Sequence, residues 1–304
     1  PSSGPPPAVG DPTTGAILAD QLVEVIRLGA ALDASSETTI DIGPGAYGNN
    51  SLGTNDGRGH PVNPVTGAPY RANVVRLADL GRVMAEYWAD GPSSETPPGH
   101  WNVIANAASD ALGSDLRIAG AGESVGRLEW DVKLYLALNG AVHDAAIEAW
   151  GLKGAYDSPR PISLIRYLGA RGQLPLVPGL IERITAEATR PGGPMEALRG
   201  HEGELALRGW RGSPKDRLTQ VGGVGWRLAA DWIPYQLPTF VTPAFPAYVS
   251  GHSTFSRAAA EVLAAYTGSA FFPGGLYHSK IPAGGLKFEA GPSAEIDLQW
   301  ATYF

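Results

Sequence analysis

Two short segments, far apart in the chain, hold the residue types that could carry chemistry. Lys153-Gly-Ala-Tyr-Asp-Ser-Pro-Arg160-Pro161 supplies two cations, and Pro246-Ala-Tyr-Val-Ser250-Gly251-His252-Ser253 supplies a hydroxyl, a glycine amide and an imidazole. Such a set can hold a tetrahedral oxyanion and move a proton beside it. Arginine grips two oxygens with a rigid planar fork, while lysine adds a movable point charge. Six residues separate Lys153 from Arg160, so both can reach one site if the chain between them turns. Pro159 and Pro161 bracket Arg160 and stiffen its approach. Gly251 lets a helix-start amide come close to an anion, and Ser250 can donate to that anion or cap the helix. His252 then falls in the first turn, where its imidazole can trade a proton near neutral pH. Each segment also has a plainer reading: a solvated cationic surface beside Glu148 and Asp157, and a capped helix with a surface histidine. A Ser-His-Asp hydrolase fits poorly, because no Gly-x-Ser-x-Gly elbow surrounds Ser250.

The elements that must position these residues read as helices. An apolar stripe over Ile17, Leu18, Leu22, Val25, Ile26 and Leu28 predicts a helix over 15–34, after an extended lead-in through Thr14. Helices are also expected over 71–89, 101–112, 124–150, 162–170 (with Pro161 in the favoured first turn) and 251–267. Shorter helices are expected over 179–189, 204–210 and 222–232, and another begins at Glu295 and runs to Phe304. No convincing run of alternating strands is visible, although a hairpin near 276–288 is an option. Residues 41–68 read as a long loop in which Asn49, Asn50, Asn55 and Asp56 serve turn chemistry rather than calcium. The fold class is therefore mainly α with long irregular loops.

The 304 residues suffice for a sizeable core, and 43% hydrophobic with 17% charged residues reads as globular. A net charge of −7 argues against a nucleic-acid partner. No apolar run is long enough to span a membrane. With no cysteine, the chain has neither a disulfide framework nor a thiolate nucleophile.

Taken together, Lys-x6-Arg-Pro followed about ninety residues later by Ser-Gly-His, each beside an expected helix, resembles the superfamily of vanadium-dependent haloperoxidases and type-2 phosphatidic acid phosphatases. The wording Ala244-Phe-Pro-Ala-Tyr-Val-Ser-Gly-His-Ser-Thr-Phe255, with Trp150 three residues before Lys153, is most similar to the bacterial haloperoxidase-like branch. The resemblance covers roughly 128–304. It implies that helical-bundle architecture, with residues 1–70 as a loop-rich extension and 71–304 as the helical domain. It implies vanadate as cofactor, or phosphate in its place, bound by Lys153, Arg160, Ser250 and Gly251. Catalysis would rest on His252 as acid–base and on Lys153 polarising bound peroxide, with Trp150 and Phe245 on the halide side. The reaction implied is halide oxidation by hydrogen peroxide. The alternatives are phosphate-ester hydrolysis in the same pocket, or a non-catalytic relative that binds an oxyanion. Secretion or a periplasmic location also follows only from the resemblance.

Two departures stand out. Val249 occupies the place of the family's proline before Ser-Gly-His. The family's third motif, Ser-Arg-x5-His-x3-Asp, has no counterpart, since the only histidine after His252 is His278 and the only arginine is Arg257. The direct vanadium-ligand histidine is therefore expected outside this chain, past Phe304 or on a second chain or fragment, with residues 298–303 as the helix leading to it. A homo-oligomer is left open, Trp300 and Tyr303 being expected to need cover. A buried Asp144 in Asn139-Gly-Ala-Val-His143-Asp144 is a candidate to orient the third-motif arginine, against the plainer reading of a locally satisfied polar pair. His201-Glu202 lacks the second histidine of a zinc helix. Glu86, Glu95 and His100 read as packed polar residues near Trp88 and Trp101, and the tryptophans as core anchors.

Overall fold

The computed structural model describes residues 4–46, 58–89 and 94–304. The expectations placed on Asn49, Asn50, Asn55 and Asp56 lie outside these residues. In chain order the elements are α1 (Gly15–Ala30), β1 (Thr39–Asp41), β2 (Val74–Arg76), α2 (Leu77–Tyr87), α3 (Pro97–Leu112), α4 (Arg127–Tyr156), α5 (Pro161–Ala170), β3 (Ile181–Arg183), β4 (Leu205–Trp210), β5 (Val224–Leu228), α6 (Gly251–Thr267), β6 (Tyr277–Ile281) and β7 (Ile296–Trp300). Helices dominate, with three small antiparallel sheets ordered β1-β2, β3-β4-β5 and β6-β7.

The main core lies between α3, α4 and α6. Along α4 the buried positions are Trp130, Leu134, Leu138, Val142, Ala145, Ala149 and Lys153. Their spacing of four, with a single three, traces one face of a 3.6-residue helix. That face meets Phe255, Ala259, Leu263 and Tyr266 of α6 and Trp101 and Ile104 of α3. Lys153 is thus the last rung of a buried apolar ladder. The opposite face of α4 is also apolar, with Leu128, Val132, Leu136 and Ile147 exposed.

A second core joins α1 to α5 and the three-stranded sheet. Leu22, Val23 and Ile26 pack with Ile165, Leu168, Leu205, Leu207 and Trp232. The first 70 residues therefore contribute to a shared core through α1.

Helix ends follow local chemistry. Thr96 caps α3 by accepting from Gly99 N at 3.1 Å, and Ser250 caps α6 by accepting from Ser253 N at 3.2 Å. The α6 helix ends at Gly268, whose φ of +75° suits a residue without Cβ.

Several expected helices are strands. Residues 179–189 contain β3, 204–210 contain β4, 222–232 contain β5, and 295–304 contain β7. The reason is plain for Leu205-Ala-Leu-Arg-Gly-Trp210, which is buried nearly throughout and shows no two-residue alternation. A short continuous apolar run of this kind cannot be assigned by periodicity alone. Its pairing with Ile181–Arg183 and Val224–Leu228 decides the matter. Similarly, α2 begins at Leu77 because Val74–Arg76 pairs with Thr39–Asp41. The expected hairpin over 276–288 supplies only β6, whose partner is the later Ile296–Trp300. Residues 298–303 are consequently no helix leading to a further motif. Tyr303 is buried with its ring 4.3 Å from Phe272, so it needs no cover.

Candidate oxyanion site

The last two turns of α4 carry Trp150 and Lys153, and Asp157 ends the helix in the left-handed region, with φ of 41°. That turn redirects the chain through Ser158 and Pro159 to Arg160, immediately before α5. The return segment is clasped from the other side. Ala247 N donates to Ser158 O at 3.0 Å, and Tyr248 N donates to Ser158 Oγ at 2.8 Å. These two bonds bring the segments into register across about ninety residues of sequence.

Both cations then converge on the same stretch of backbone. Lys153 Nζ donates to Pro246 O and Ala247 O, each at 2.8 Å. Arg160 Nε donates to Phe245 O at 2.8 Å. The Phe245 ring lies between them, 5.3 Å from Lys153 Nζ and 4.7 Å from the Arg160 guanidinium carbon. Trp150 completes the wall, with its ring 5.0 Å from Phe245 and stacked at 5.9 Å on Phe255.

The electrostatics are those of charge without compensation. Lys153 is only 2% exposed. Burial, reinforced by the neighbouring Arg160 charge, pulls its pKa below the ordinary lysine value. Burial likewise lowers Arg160. Among the described residues no carboxylate pairs with either cation. Arg160 Nη2 is buried without a hydrogen-bond partner. A buried, unpaired N–H on a cation is costly, and an acceptor relieves it, an anion most strongly.

Ser250, Gly251 and His252 begin α6. Ser250 Oγ accepts from the first turn and keeps its own hydroxyl proton to donate. A Cβ on Gly251 would stand 3.1 Å from the Trp150 ring, so the absence of a side chain lets α6 start against that indole. His252 is exposed in the first turn. The Tyr248–Val249 peptide, where the family's proline is replaced, is cis.

The expected residues share a neighbourhood but not a single void. Arg160, Phe245 and Pro246 line a cavity of about 460 Å³ together with Thr242 and Ser163. Ser250 lines a different cleft, beyond the Asp157–Pro159 turn. Lys153 is buried beneath the Pro246–Ala247 backbone. Asp144 is not buried as expected. Its side chain is 84% exposed and paired with the adjacent His143 at 3.3 Å, because its helical position falls off the α4 ladder. His278 is paired with Asp297 at 2.9 Å across β6 and β7, and it lines neither the Arg160 cavity nor the Ser250 cleft.

Sequence reasoning missed the Phe245, Pro246 and Ala247 carbonyls that hold the two cations, and the Ser158 clasp. Carbonyl oxygens carry no side-chain signal. The only hint was the pair of prolines stiffening Arg160. His201 and Glu204 form a surface pair at 2.9 Å, with no metal cluster of His, Asp and Glu among the described residues. Glu86 is a packed carboxylate that accepts from Phe288 N and Tyr235 Oη, both at 3.0 Å. No helix among the described residues is long and apolar enough to cross a membrane.

Comparison with known families adds one match, to the VCPO second helical-bundle domain over residues 133–304, which is more than half of the chain and includes both segments. Neither the curated proteins nor the solved structures give a match. The shared bundle domain, read with the Lys-x6-Arg-Pro and Ser-Gly-His segments inside it, makes this chain a member of the vanadium haloperoxidase superfamily.

Proposed function

We propose that the chain carries the oxyanion half of a vanadate-dependent haloperoxidase that oxidises halide with hydrogen peroxide. One observation carries the reading: among the described residues the buried Lys153 and the half-buried Arg160 sit together without a carboxylate, and the buried Arg160 Nη2 has no partner. Such a pair is a receptor for a small oxyanion, and vanadate fits the donor set. Arg160 Nη2 would hold one oxygen, and the remaining N–H of Lys153 would add charge close by. The Ser250 hydroxyl and the first-turn amide of Gly251, which has no intrahelical acceptor, supply further donors.

Vanadate, when bound, activates hydrogen peroxide toward attack by halide. The protein's part is to neutralise charge, exclude water and manage protons. Lys153 and Arg160 stabilise developing negative charge, Lys153 from a desolvated position where a fixed cation acts most strongly. His252, in the first turn, gives or takes the proton of the reacting oxygen. Trp150, Phe245 and Phe255 offer an apolar wall suited to a weakly hydrated halide. Completing the site requires, on this reading, a segment bearing the third-motif arginine and histidine. The exposed Leu128, Val132, Leu136 and Ile147 stripe of α4 is an apolar face such a segment would cover.

The test is halogenation of a phenolic dye by peroxide and bromide, with and without vanadate. Turnover should require vanadate, and His252→Ala should lower it by about a hundredfold or more. Cleavage of a phosphate ester that vanadate blocks would replace this reading with the phosphatase. Vanadate binding without either turnover would reduce the chain to an oxyanion binder.

A further inference from the structure

The cleft beyond the Asp157–Pro159 turn is built differently from the cationic site. It has a volume of about 460 Å³, within the range of small-molecule sites. Its walls are Leu18, Leu22 and Val25 of α1 and Leu164 of α5, and the lead-in Pro6–Val9 forms its roof. Tyr156 and Tyr248 stand edge to face at one end, with ring centroids 5.7 Å apart. Two serine hydroxyls border the cleft. Ser158 Oγ accepts from Tyr248 N and Ser250 Oγ accepts from Ser253 N, so each has a proton left to donate. No lysine or arginine lines it, and the one charged lining residue is Asp157.

We propose that this cleft binds a neutral phenol, the organic acceptor that is to be halogenated, with its ring against the proline, leucine and tyrosine walls and its oxygen toward Ser158. Flat proline and tyrosine faces suit an aromatic ring. The Asp157 carboxylate disfavours an anion, which selects the protonated phenol over a phenolate or an aryl carboxylate. The Ser250 hydroxyl stands at the border of the cleft and at the start of α6. An acceptor held there is close to where the oxidant forms, instead of meeting it in bulk solvent. The first 30 residues thereby become part of substrate selection, since α1 and the lead-in make two of the walls. The claim rests on the oxyanion reading only for the identity of the ligand as acceptor.

The experiment is isothermal titration of 2-naphthol at neutral pH into the wild-type chain, Gln21→Trp and Arg160→Ala, with vanadate titrated in parallel. Gln21 is an exposed cleft residue of α1, so an indole there fills the void without disturbing the core. Saturable 2-naphthol binding should weaken by about tenfold or more in Gln21→Trp and stay unchanged in Arg160→Ala. Thermal melting checks the fold of Gln21→Trp, and Val9→Trp, which blocks the roof, serves if that variant is unstable. No saturable binding to the wild type, or wild-type affinity in the filled variants, overturns the proposal. Binding of 2-naphthol with no binding of vanadate supports the cleft while removing the oxyanion reading. Vanadate bound without 2-naphthol does the reverse.

Discussion

The protein buries cationic side chains in two places and treats them in opposite ways. Arg82 is 2% exposed and held by two carboxylates, Glu289 at 2.8 Å and Asp79. The network closes around them: Glu289 accepts from Trp210 Nε1 at 2.9 Å and Gly222 N at 2.8 Å, and Asp79 accepts from Ser293 N at 3.0 Å. Burial opposes the Arg82 charge, yet the hydrogen bonds and charges of Glu289 and Asp79 hold its pKa above the ordinary value. Among the described residues, Lys153 and Arg160 are held by carbonyls and aromatic rings and by no carboxylate, and burial depresses both pKa values. The first arrangement is complete and needs no ligand. The second carries net charge and a donor, Arg160 Nη2, without a partner.

The largest effect should come from opening the complete network. Arg82→Ala leaves Asp79 and Glu289 buried and uncompensated, and it should cost about 3–5 kcal/mol in denaturant unfolding. Oxyanion affinity in any folded fraction should remain. A loss well under 1 kcal/mol would mean that the two sites do not differ as argued.

Arg160→Ala should do the opposite. Its side chain satisfies no buried carboxylate, so stability should change little, while vanadate affinity measured by titration should fall about ten- to a hundredfold. That range corresponds to the loss of a charge-assisted hydrogen bond. A variant that unfolds instead would assign Arg160 to the scaffold.

Lys153 sharpens the contrast through pH. Its depressed pKa means that the ammonium is lost at a lower pH than in an exposed lysine. Below that pKa the cation is present and binding is full; above it, affinity should fall by at most about tenfold per pH unit. Sulfate, whose charge is constant over this range, is the suitable probe. Lys153→Met should bind more weakly and lack this alkaline limb. Stability runs the opposite way: desolvation of the buried ammonium destabilises the fold at low pH, and this penalty fades as pH rises from the depressed value toward that of an unfolded lysine.

Gly251→Ala should be milder, because the Trp150 ring must yield a few tenths of an ångström to a Cβ now 3.1 Å away. A loss of about 1 kcal/mol in stability, with weaker oxyanion binding, is expected. Asp144→Asn should be smallest. The side chain is exposed, and unfolding of this chain should shift by less than about 0.5 kcal/mol.

Legibility followed the range of the interactions involved. The helix over 251–267 was readable to the residue, because Ser250 and Gly268 write its ends locally. The extent of α4 was nearly readable, although the sequence stopped it at Trp150 and left out the turn that holds Lys153. The sheet β3-β4-β5 was not readable. Leu205–Trp210 is apolar without alternation, and its identity as a strand comes from partners about twenty residues away on either side.

The sequence by itself determined which residues could bind an oxyanion, Lys153, Arg160, Ser250 and Gly251, and which could move a proton beside it, His252, by type and spacing. It also determined the family, since the motif pair and the bundle domain are written in the chain. Only the tertiary structure decided the states of these groups. Whether a lysine is solvated or buried depends on the helical ladder it continues and on the carbonyls brought to it from Pro246 and Ala247. Whether Asp144 orients a partner depends on which side of α4 it faces, and it faces solvent. Residue type sets what a group can do, but desolvation and hydrogen-bond accounting are properties of the packed environment, and no local stretch of sequence contains them.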